Sequence, residues 1–559
     1  MRLFALLSAF LFAAAINFAL WYWPNRPLPI ANPAADQPIA GFSFAPFHDH
    51  QSPLTHSYPT ATEIETDLKA LQGRARSVRT YTSLEGLAIV PAIAGKYGIA
   101  VVQSAWLGTE LPVNELEIKQ LILLANRYPD TIKRVIVGNE VLLRNDLSPA
   151  ALAAYIRRVK AAVKQPVSYA DVWEFWLKYP EMAKEVDFIT IHLLPYWEDF
   201  PIGVPYAQEH ILAIYRRVQA AFPGKPIFIG EVGWPSSGRS REAAVPGRRE
   251  SAQFLSDFRR LAEREHLDYN YVEAFDQPWK TALEGSVGGT WGILDPHGRP
   301  KFTLAGPVEE NPEWWIGAAA SILAGAAATI WLALQRRVLA PRQLAAAAML
   351  AQALAGMLAA LGLHGYLYGY SIWRQIFGLL WLLWAGGLAL FAFNDLLRRF
   401  THPPTPARSV AAVLADFREY AALFLPLGRH TVSADKLARF ACWRWVWLDE
   451  WLLLSAAPLA LYQTLMLVFN GRYRDFPINE FLVPALGVLL SRLLGGFTVA
   501  GGDVRREGLI AFLVLASAAA MVGVELPANR EAVYFALIVA ALALPYAACW
   551  LAGQRWFRR

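Results

Sequence analysis

Two short strings each set a glutamate where chemistry can happen: Val137-Gly138-Asn139-Glu140-Val141 and Ile229-Gly230-Glu231-Val232-Gly233-Trp234-Pro235-Ser236-Ser237-Gly238. Both glutamates follow a β-branched apolar run, 135–137 in one case and 227–229 in the other, which places each just past the C-terminal end of a buried strand. Glutamate is uncommon there, because an unpaired buried charge is costly. Two carboxyl groups on separate strands suit cleavage of a glycosidic bond: one acid protonates the leaving oxygen, and the other carboxylate attacks or activates water. The plainer alternative is two exposed glutamates at strand ends with no chemistry to do.

The elements that must position these groups are legible as apolar runs separated by helical periodicity. Eight strand candidates fall at 41–44, 77–81, 99–103, the run ending at Glu140, 166–171, 188–192, the run ending at Glu231, and 271–276. Strands alternating with helices predict an α/β fold, the parallel (β/α)8 barrel, whose active sites lie at the C-terminal strand ends. In that order Glu140 and Glu231 end strands four and seven. Tyr81, Trp106, Asp171, Trp173, His192, Tyr196, Trp197, Trp234, Asp276 and Trp279 fall at or just after strand ends. Aromatic faces mixed with hydrogen-bonding groups suit an open polysaccharide cleft. Each residue singly could instead be packing, and about half of the set is expected to touch ligand. His192 and Glu231 end adjacent strands, which predicts a hydrogen bond holding Glu231.

Asn139-Glu140 and the 230–238 string resemble the acid/base and nucleophile motifs of glycoside hydrolase family 17, the β-1,3-glucanases, within a resemblance spanning residues 38–305. The resemblance implies a (β/α)8 barrel and a retaining mechanism, with Glu140 as acid/base, Glu231 as nucleophile and about 5–5.5 Å between their carboxyl groups. Residues 78–81 look like the family's second strand, whose tyrosine, here Tyr81, lines the catalytic subsite. Residues 275–280 with Glu284 look like its eighth-strand region, where Lys280 and Glu284 support the carboxylates. Gln277 stands where many members carry an acidic residue, which puts the local charge balance in question. Residues 292–298 look like the family's closing strand and turn. The candidate substrate-binding set is Tyr81, Asn139, Asp171, His192, Tyr196, Trp234, Asp276, Trp279, Lys280 and Glu284, with no metal and no cofactor expected.

The barrel accounts for about half of the 559 residues, and the rest has another character. Hydrophobic residues make up 55% of the chain, too many for a wholly soluble protein, and they concentrate at the N-terminus and in the last stretch. Residues 3–23 are apolar for the length a spanning helix needs, longer than a usual signal-peptide core, which favours an uncleaved anchor. Seven further spans are readable near 314–334, 344–363, 376–393, 451–469, 481–499, 509–526 and 533–551. The expected organisation is an anchor at 1–23, a family-17-like barrel at 24–312 and a polytopic helical domain at 313–559. Arg492, inside one span, is expected to snorkel to the interface. An amphipathic stretch, 409–424, is expected to lie against the membrane or between helices, and 402–406 reads as a short Pro-rich linker.

With eight spans and a cytoplasmic N-terminus, sixteen Lys and Arg fall in cytoplasmic segments and four in the opposite short loops. That asymmetry predicts the barrel outside the cytoplasm, in the periplasm at the inner membrane. The net charge of +6 therefore reflects membrane topology and not nucleic-acid binding. The only cysteines, Cys442 and Cys549, lie outside the barrel, so no disulfide framework supports it.

A retaining enzyme forms a covalent glycosyl intermediate that water or a sugar hydroxyl resolves. A family-17-like barrel fused to a polytopic membrane half resembles bacterial β-(1,6)-glucan synthases, which favours cleavage of β-1,3-glucan with transfer to a glucan acceptor. A plain β-1,3-glucanase and a non-catalytic glucan export or binding protein stay open. A nucleotide-sugar synthase does not fit, because the largest cytoplasmic loop, 395–448, is too short and carries no Gly-rich phosphate loop. The expected partners are β-glucan, the lipid bilayer and, for any net synthesis, a separate glucan synthase.

Overall fold

Eight short strands close into a parallel barrel in the computed structural model: β1 (Phe42–Ser43), β2 (Ser77–Arg79), β3 (Ala100–Ala105), β4 (Ile132–Asn139), β5 (Val167–Val172), β6 (Ile189–Leu193), β7 (Ile227–Val232) and β8 (Asp268–Tyr271). The expected α/β barrel is therefore observed, with one correction. The eighth strand ends at Tyr271, and 271–276 is not a strand. Beyond Tyr271 the backbone still reaches both barrel neighbours, Val272 N–H donating to Val232 O (2.8 Å) and Ala274 N–H to Ser43 O (3.1 Å). It is shared there with the closing segment, Glu273 N–H donating to Trp291 O (3.0 Å) and Asp276 N–H to Leu294 O (2.9 Å).

The structure describes residues 2–334 except 33 and 49, 339–401 except 368 and 370, 411, 414–415, 452–495 and 505–553. The stretch 409–424, the linker 402–406, the side chain of Arg492 and Cys442 lie largely or wholly outside the described residues. Two units divide the chain: Pro27–Glu310, and Met1–Arg26 together with Asn311–Arg559.

In the barrel unit, local sequence sets each helix. Ala61–Leu71 starts from a capping box in which Thr60 and Glu63 satisfy each other's backbone N–H groups. Leu111–Arg127, Pro149–Lys160 and Val204–Ala221 each carry proline in the first turn, where its missing N–H costs nothing. Inside the barrel, Val102, Ile136, Ala170, Phe188 and Phe228 form an apolar floor. Above that floor the inward positions turn polar: Thr190 Oγ donates to Ser168 Oγ (2.9 Å), and Arg79, His192 and Glu231 come next. Outside the barrel unit's eight-stranded ring, Leu28–Ile30 pairs antiparallel with Gly306–Val308.

The other unit contains the helix Arg2–Asn25 and seven C-terminal helices: Trp314–Leu334, Pro341–Leu367, Ile372–Arg399, Ala457–Asn470, Ile478–Gly495, Arg505–Glu525 and Arg530–Gly553. Among the described residues six of these are long and apolar enough to cross a membrane, where the sequence suggested eight. The other two are Ala457–Asn470, which continues a π-turn at Leu452–Ala456, and Ile478–Gly495, which runs on through Pro484; residues 451 and 496–504, which border them, lie outside the described residues. Polar pairs join the bundle where small residues let helices approach. Asn17 Nδ2 donates to Ser321 Oγ (2.7 Å), and Gln352 Nε2 to Ser321 O (3.2 Å). Thr464 Oγ donates to Ser517 Oγ (2.8 Å), and the Trp21 ring lies on Gly317.

Candidate active site

Both glutamates are delivered by the same backbone device. In β4 one extra residue is accommodated between Ile136 and Asn139, around Gly138 at φ 87°. In β7 the same slip occurs between Ile229 and Val232, around Gly230. A bulge breaks the strict alternation of a strand and re-aims the side chains beyond it. At Gly230 a Cβ would come within 2.4 Å of Thr190 Cγ2 and 3.1 Å of Arg79 Nη1, so only glycine leaves room for the groups gathered there. Glu140 itself takes φ 53°, a left-handed conformation uncommon for glutamate.

The carboxylates converge. One oxygen of Glu140, one of Glu231 and a ring nitrogen of His192 lie within 4.8 Å of one another. Arg79, fully buried on β2, stands behind them. Its Nη1 donates to Gly230 O (2.9 Å) and Glu231 Oε1 (3.4 Å), and its Nη2 to Asn139 Oδ1 (2.6 Å). Tyr81 OH lies 2.8 Å from Glu231 Oε1 and 2.7 Å from Ser43 Oγ. A carboxylate only accepts, so Tyr81 donates to Glu231 and Ser43 donates to Tyr81.

His192 corrects a sequence expectation. Its Nδ1 lies 2.7 Å from Glu140 Oε1, while its Nε2 is 3.6 Å from Glu231 Oε1. The imidazole is thus bonded to Glu140 and not to Glu231. Adjacency of β6 and β7 fixed the neighbourhood, but the ring's other nitrogen meets Arg79 Nη1 at 3.3 Å. A guanidinium has no acceptor, so Nε2 presents its lone pair and the proton sits on Nδ1, donated to Glu140.

The electrostatics follow from these contacts. Burial pushes the Glu140 carboxyl up, but the His192 hydrogen bond and the positive fields of Arg144 and Arg79 outweigh it and hold Glu140 below the ordinary value. Burial and the Glu231 charge push the Tyr81 phenol well up, so it stays a donor. Lys280 Nζ bonds both oxygens of Glu273 (3.0 Å each), which burial pushes up to about 7. Glu284 lies within electrostatic reach of Lys280, Glu140 and Glu231, and burial raises it. A cation could reach the atoms of Glu140, His192 and Glu231, but the Arg79 guanidinium already supplies positive charge there.

The sequence-selected residues separate into two groups. Tyr81, Asn139, His192, Lys280 and Glu284 gather around the paired carboxylates. Asp171 points outward with Tyr169, following the alternation of β5. It accepts from Tyr169 OH, Leu143 N (3.3 Å) and Val172 N (2.8 Å), and burial raises it to about 6. Trp234 is fully buried, its Nε1 donating to Val245 O (3.0 Å) and its ring stacked on Phe254. Tyr196 packs among Trp197, Trp234 and Trp291, its hydroxyl donating to Arg239 O (2.7 Å). Asp276 is held by Lys301 Nζ (2.6 Å) and Gly292 N–H (2.9 Å). Trp279 Nε1 donates to Gln277 Oε1 (2.8 Å), and its ring meets Phe47 edge-on. Gln277 Nε2 donates to the carbonyls of Ala45 and Phe275, which a carboxylate at this position would repel. The residue the sequence reading passed over is Arg79. Its signal was a cation inside the apolar run 77–81.

Two glutamates paired at the C-terminal mouth of a closed parallel barrel suit a glycoside hydrolase or transferase, and the sequence relatives point to that class of enzyme. Residues 41–292 match the BtgE/BtgC glycoside hydrolase domain. A glucan 1,3-beta-glucosidase of Schizosaccharomyces pombe is 29% identical over 233 residues, 38% of this chain and 72% of that one. A probable glucan endo-1,3-beta-glucosidase of Aspergillus terreus is 25% identical over 302 residues, 47% of this chain and 45% of that one, so the match spans under half of the latter's length. The crystal structure of a glycoside hydrolase family 17 beta-1,3-glucanosyltransferase from Rhizomucor miehei matches with 27% identity and a TM-score of 0.43, covering 48% of this chain and 97% of that one.

Proposed function

We propose that the protein is a membrane-anchored retaining β-glucan enzyme that cleaves β-1,3-glucan and transfers the glycosyl unit to a glucan acceptor. The observation that carries this reading is that one oxygen of Glu140 and one of Glu231 lie within 4.8 Å of each other, an approach that supports the short carboxyl separation of a retaining enzyme. The substrate class is supported by the names of the relatives in fission yeast and Aspergillus.

In the first step Glu231 attacks the anomeric carbon. Both recorded hydrogen bonds on this carboxylate, from Tyr81 and Arg79, fall on Oε1, which leaves Oε2 to form the new bond. The glycosidic C–O bond breaks as Glu140 gives its proton to the leaving oxygen. In the second step the Glu140 carboxylate takes the proton of an acceptor hydroxyl, whose oxygen attacks the anomeric carbon and releases Glu231. Asn139, whose Oδ1 is oriented by Arg79, binds a sugar hydroxyl beside the reacting carbon in this reading. A bound sugar acceptor has a local concentration far above that of free sugar, so transfer can outrun hydrolysis.

The membrane half holds the enzyme at the inner membrane with the barrel on the periplasmic face, a reading supported by the six long apolar helices and the asymmetry of Lys and Arg. There it acts on glucan supplied by a separate synthase. Reporter fusions after Pro307 and after Arg506 test the orientation; a cytoplasmic-type signal at Pro307 overturns it. Incubation of the purified protein with a β-1,3-oligosaccharide of one length tests the chemistry. Products longer than the starting chain support transfer, and only shorter ones leave a plain β-1,3-glucanase.

A further inference from the structure

We infer that Trp106 is a sugar-stacking platform in the cleft wall, binding a glucosyl ring of the same chain as the ring held between Glu140 and Glu231; this rests on the function proposed above. Trp106 directly follows β3, the neighbour of β4 in the barrel. Its side chain is 40% exposed, whereas Trp176, Trp234 and Trp291 are buried. A lone exposed tryptophan needs no explanation. This one is held in place from two directions.

Its ring rests on the Arg144 guanidinium, whose Cζ lies 4.3 Å from the ring centroid. Arg144 is itself fixed. Nε donates to Asp146 Oδ2 (2.7 Å), Nη2 to Leu107 O (2.9 Å) and Nη1 to Asn139 O. The floor under the indole is therefore tied to the residue before Glu140 and to the residue after Trp106. From below, the buried Glu117 carboxylate receives the Trp106 main-chain N–H together with Thr82 OH and Ser83 N–H (2.8 Å). Thr82 and Ser83 continue the strand end that carries Tyr81. The platform is thereby registered against Glu140 on one side and Tyr81, the partner of Glu231, on the other.

A β-linked glucosyl ring carries its hydroxyls around the rim and C–H groups on its faces. It packs flat on an aromatic plane while its rim makes hydrogen bonds. The Trp106 indole N–H has no protein acceptor among the described residues, and it is available to such a hydroxyl. A platform already fixed before binding loses little rotamer freedom when sugar arrives. The exposed Phe200 carries none of these ties among the described residues.

The test is calorimetric titration of the full-length Glu231→Gln protein in detergent with laminari-oligosaccharides from the disaccharide to the hexasaccharide. Affinity should rise with chain length. Trp106→Ala in that background should lower hexasaccharide affinity about tenfold, leave the shortest ligand unchanged and leave the melting temperature unchanged. Trp106→Phe should keep most of the gain. An unchanged hexasaccharide affinity, or an equal loss at every length, overturns the platform alone. If no laminari-oligosaccharide binds this protein and none is turned over by the Glu231 enzyme, the proposed substrate and the platform both fall.

Discussion

At the end of β4 Gly138 precedes Asn139-Glu140, at the end of β7 Gly230 precedes Glu231, and each strand absorbs one extra residue just there. The two ends share a backbone device yet give their carboxylates different company. Glu231 is met by Arg79 and by Tyr81, whose phenol is pushed well above its ordinary value and so stays a donor. Glu140 is met by the Nδ1–H of His192 (2.7 Å) and is more exposed, 24% against 11% for its side chain. The contrast separates a group that must stay an anion from one that must pass a proton.

Substitution of each carboxylate breaks the comparison outright. Glu231→Gln should lower turnover at least about a thousandfold on every substrate. Glu140→Gln should cost as much on β-1,3-glucan but far less on aryl glycosides with good leaving groups, because those depart without a proton. Initial rates on both substrate types check this, and equal losses for the two variants on aryl glycosides would erase the distinction. Tyr81→Phe removes one of the two donors on Glu231 and should lower kcat by about 10- to 100-fold, the size of a charge-assisted hydrogen bond, with KM little altered.

A pH profile sharpens the contrast further. His192 favours the charged form of Glu140, so His192→Gln should raise the Glu140 pKa. The acid must be protonated to act. The limb of kcat/KM that falls with rising pH should therefore move to higher pH in the variant, whatever the loss in absolute rate.

The smallest effect is on stability. Burial raises Glu117 and Glu273 to about 7, and Asp171 and Asp276 to about 6. A carboxyl whose folded pKa is raised stabilises the fold fully below its unfolded pKa, and that contribution is lost as pH rises through the folded value. Glu63, held at about 2, is already ionised in both states above pH 5 and does not vary across this window. The barrel's melting transition in the purified protein should therefore come higher at pH 5 than at pH 7.5, by roughly 5 °C.

The barrel and the two central glutamates were legible because apolar runs, their spacing and the Gly-Asn-Glu and Gly-Glu strings all depend on local sequence. Side-chain direction was less so. Asp171 sits at a strand end, but counting by twos from Ala170 on the barrel floor turns it outward, where Tyr169 and Leu143 hold it. Trp234 and Tyr196 follow strand ends too, yet Phe254 and the Arg239 carbonyl, contacts of high sequence separation, draw them into the wall. His192 was placed beside Glu231 correctly and bonded incorrectly, since the choice of partner depended on Arg79. Each of the eight apolar stretches lies on a helix where it is described; six meet the length and composition a span needs, and the other two border residues outside the described ones.

The pairing of Leu28–Ile30 with Gly306–Val308 has an engineering consequence. The chain enters and leaves the barrel side by side. Within the other unit, Asn25 Oδ1 accepts from Asn311 N–H (3.1 Å). The helices that precede and follow the barrel are themselves bonded through Asn17 and Ser321. In genetic terms the barrel is a cassette set into the turn of a helical hairpin: residues 27–310 can be lifted out and the hairpin reclosed with a short glycine-containing turn, or another domain with adjacent termini dropped into the same slot.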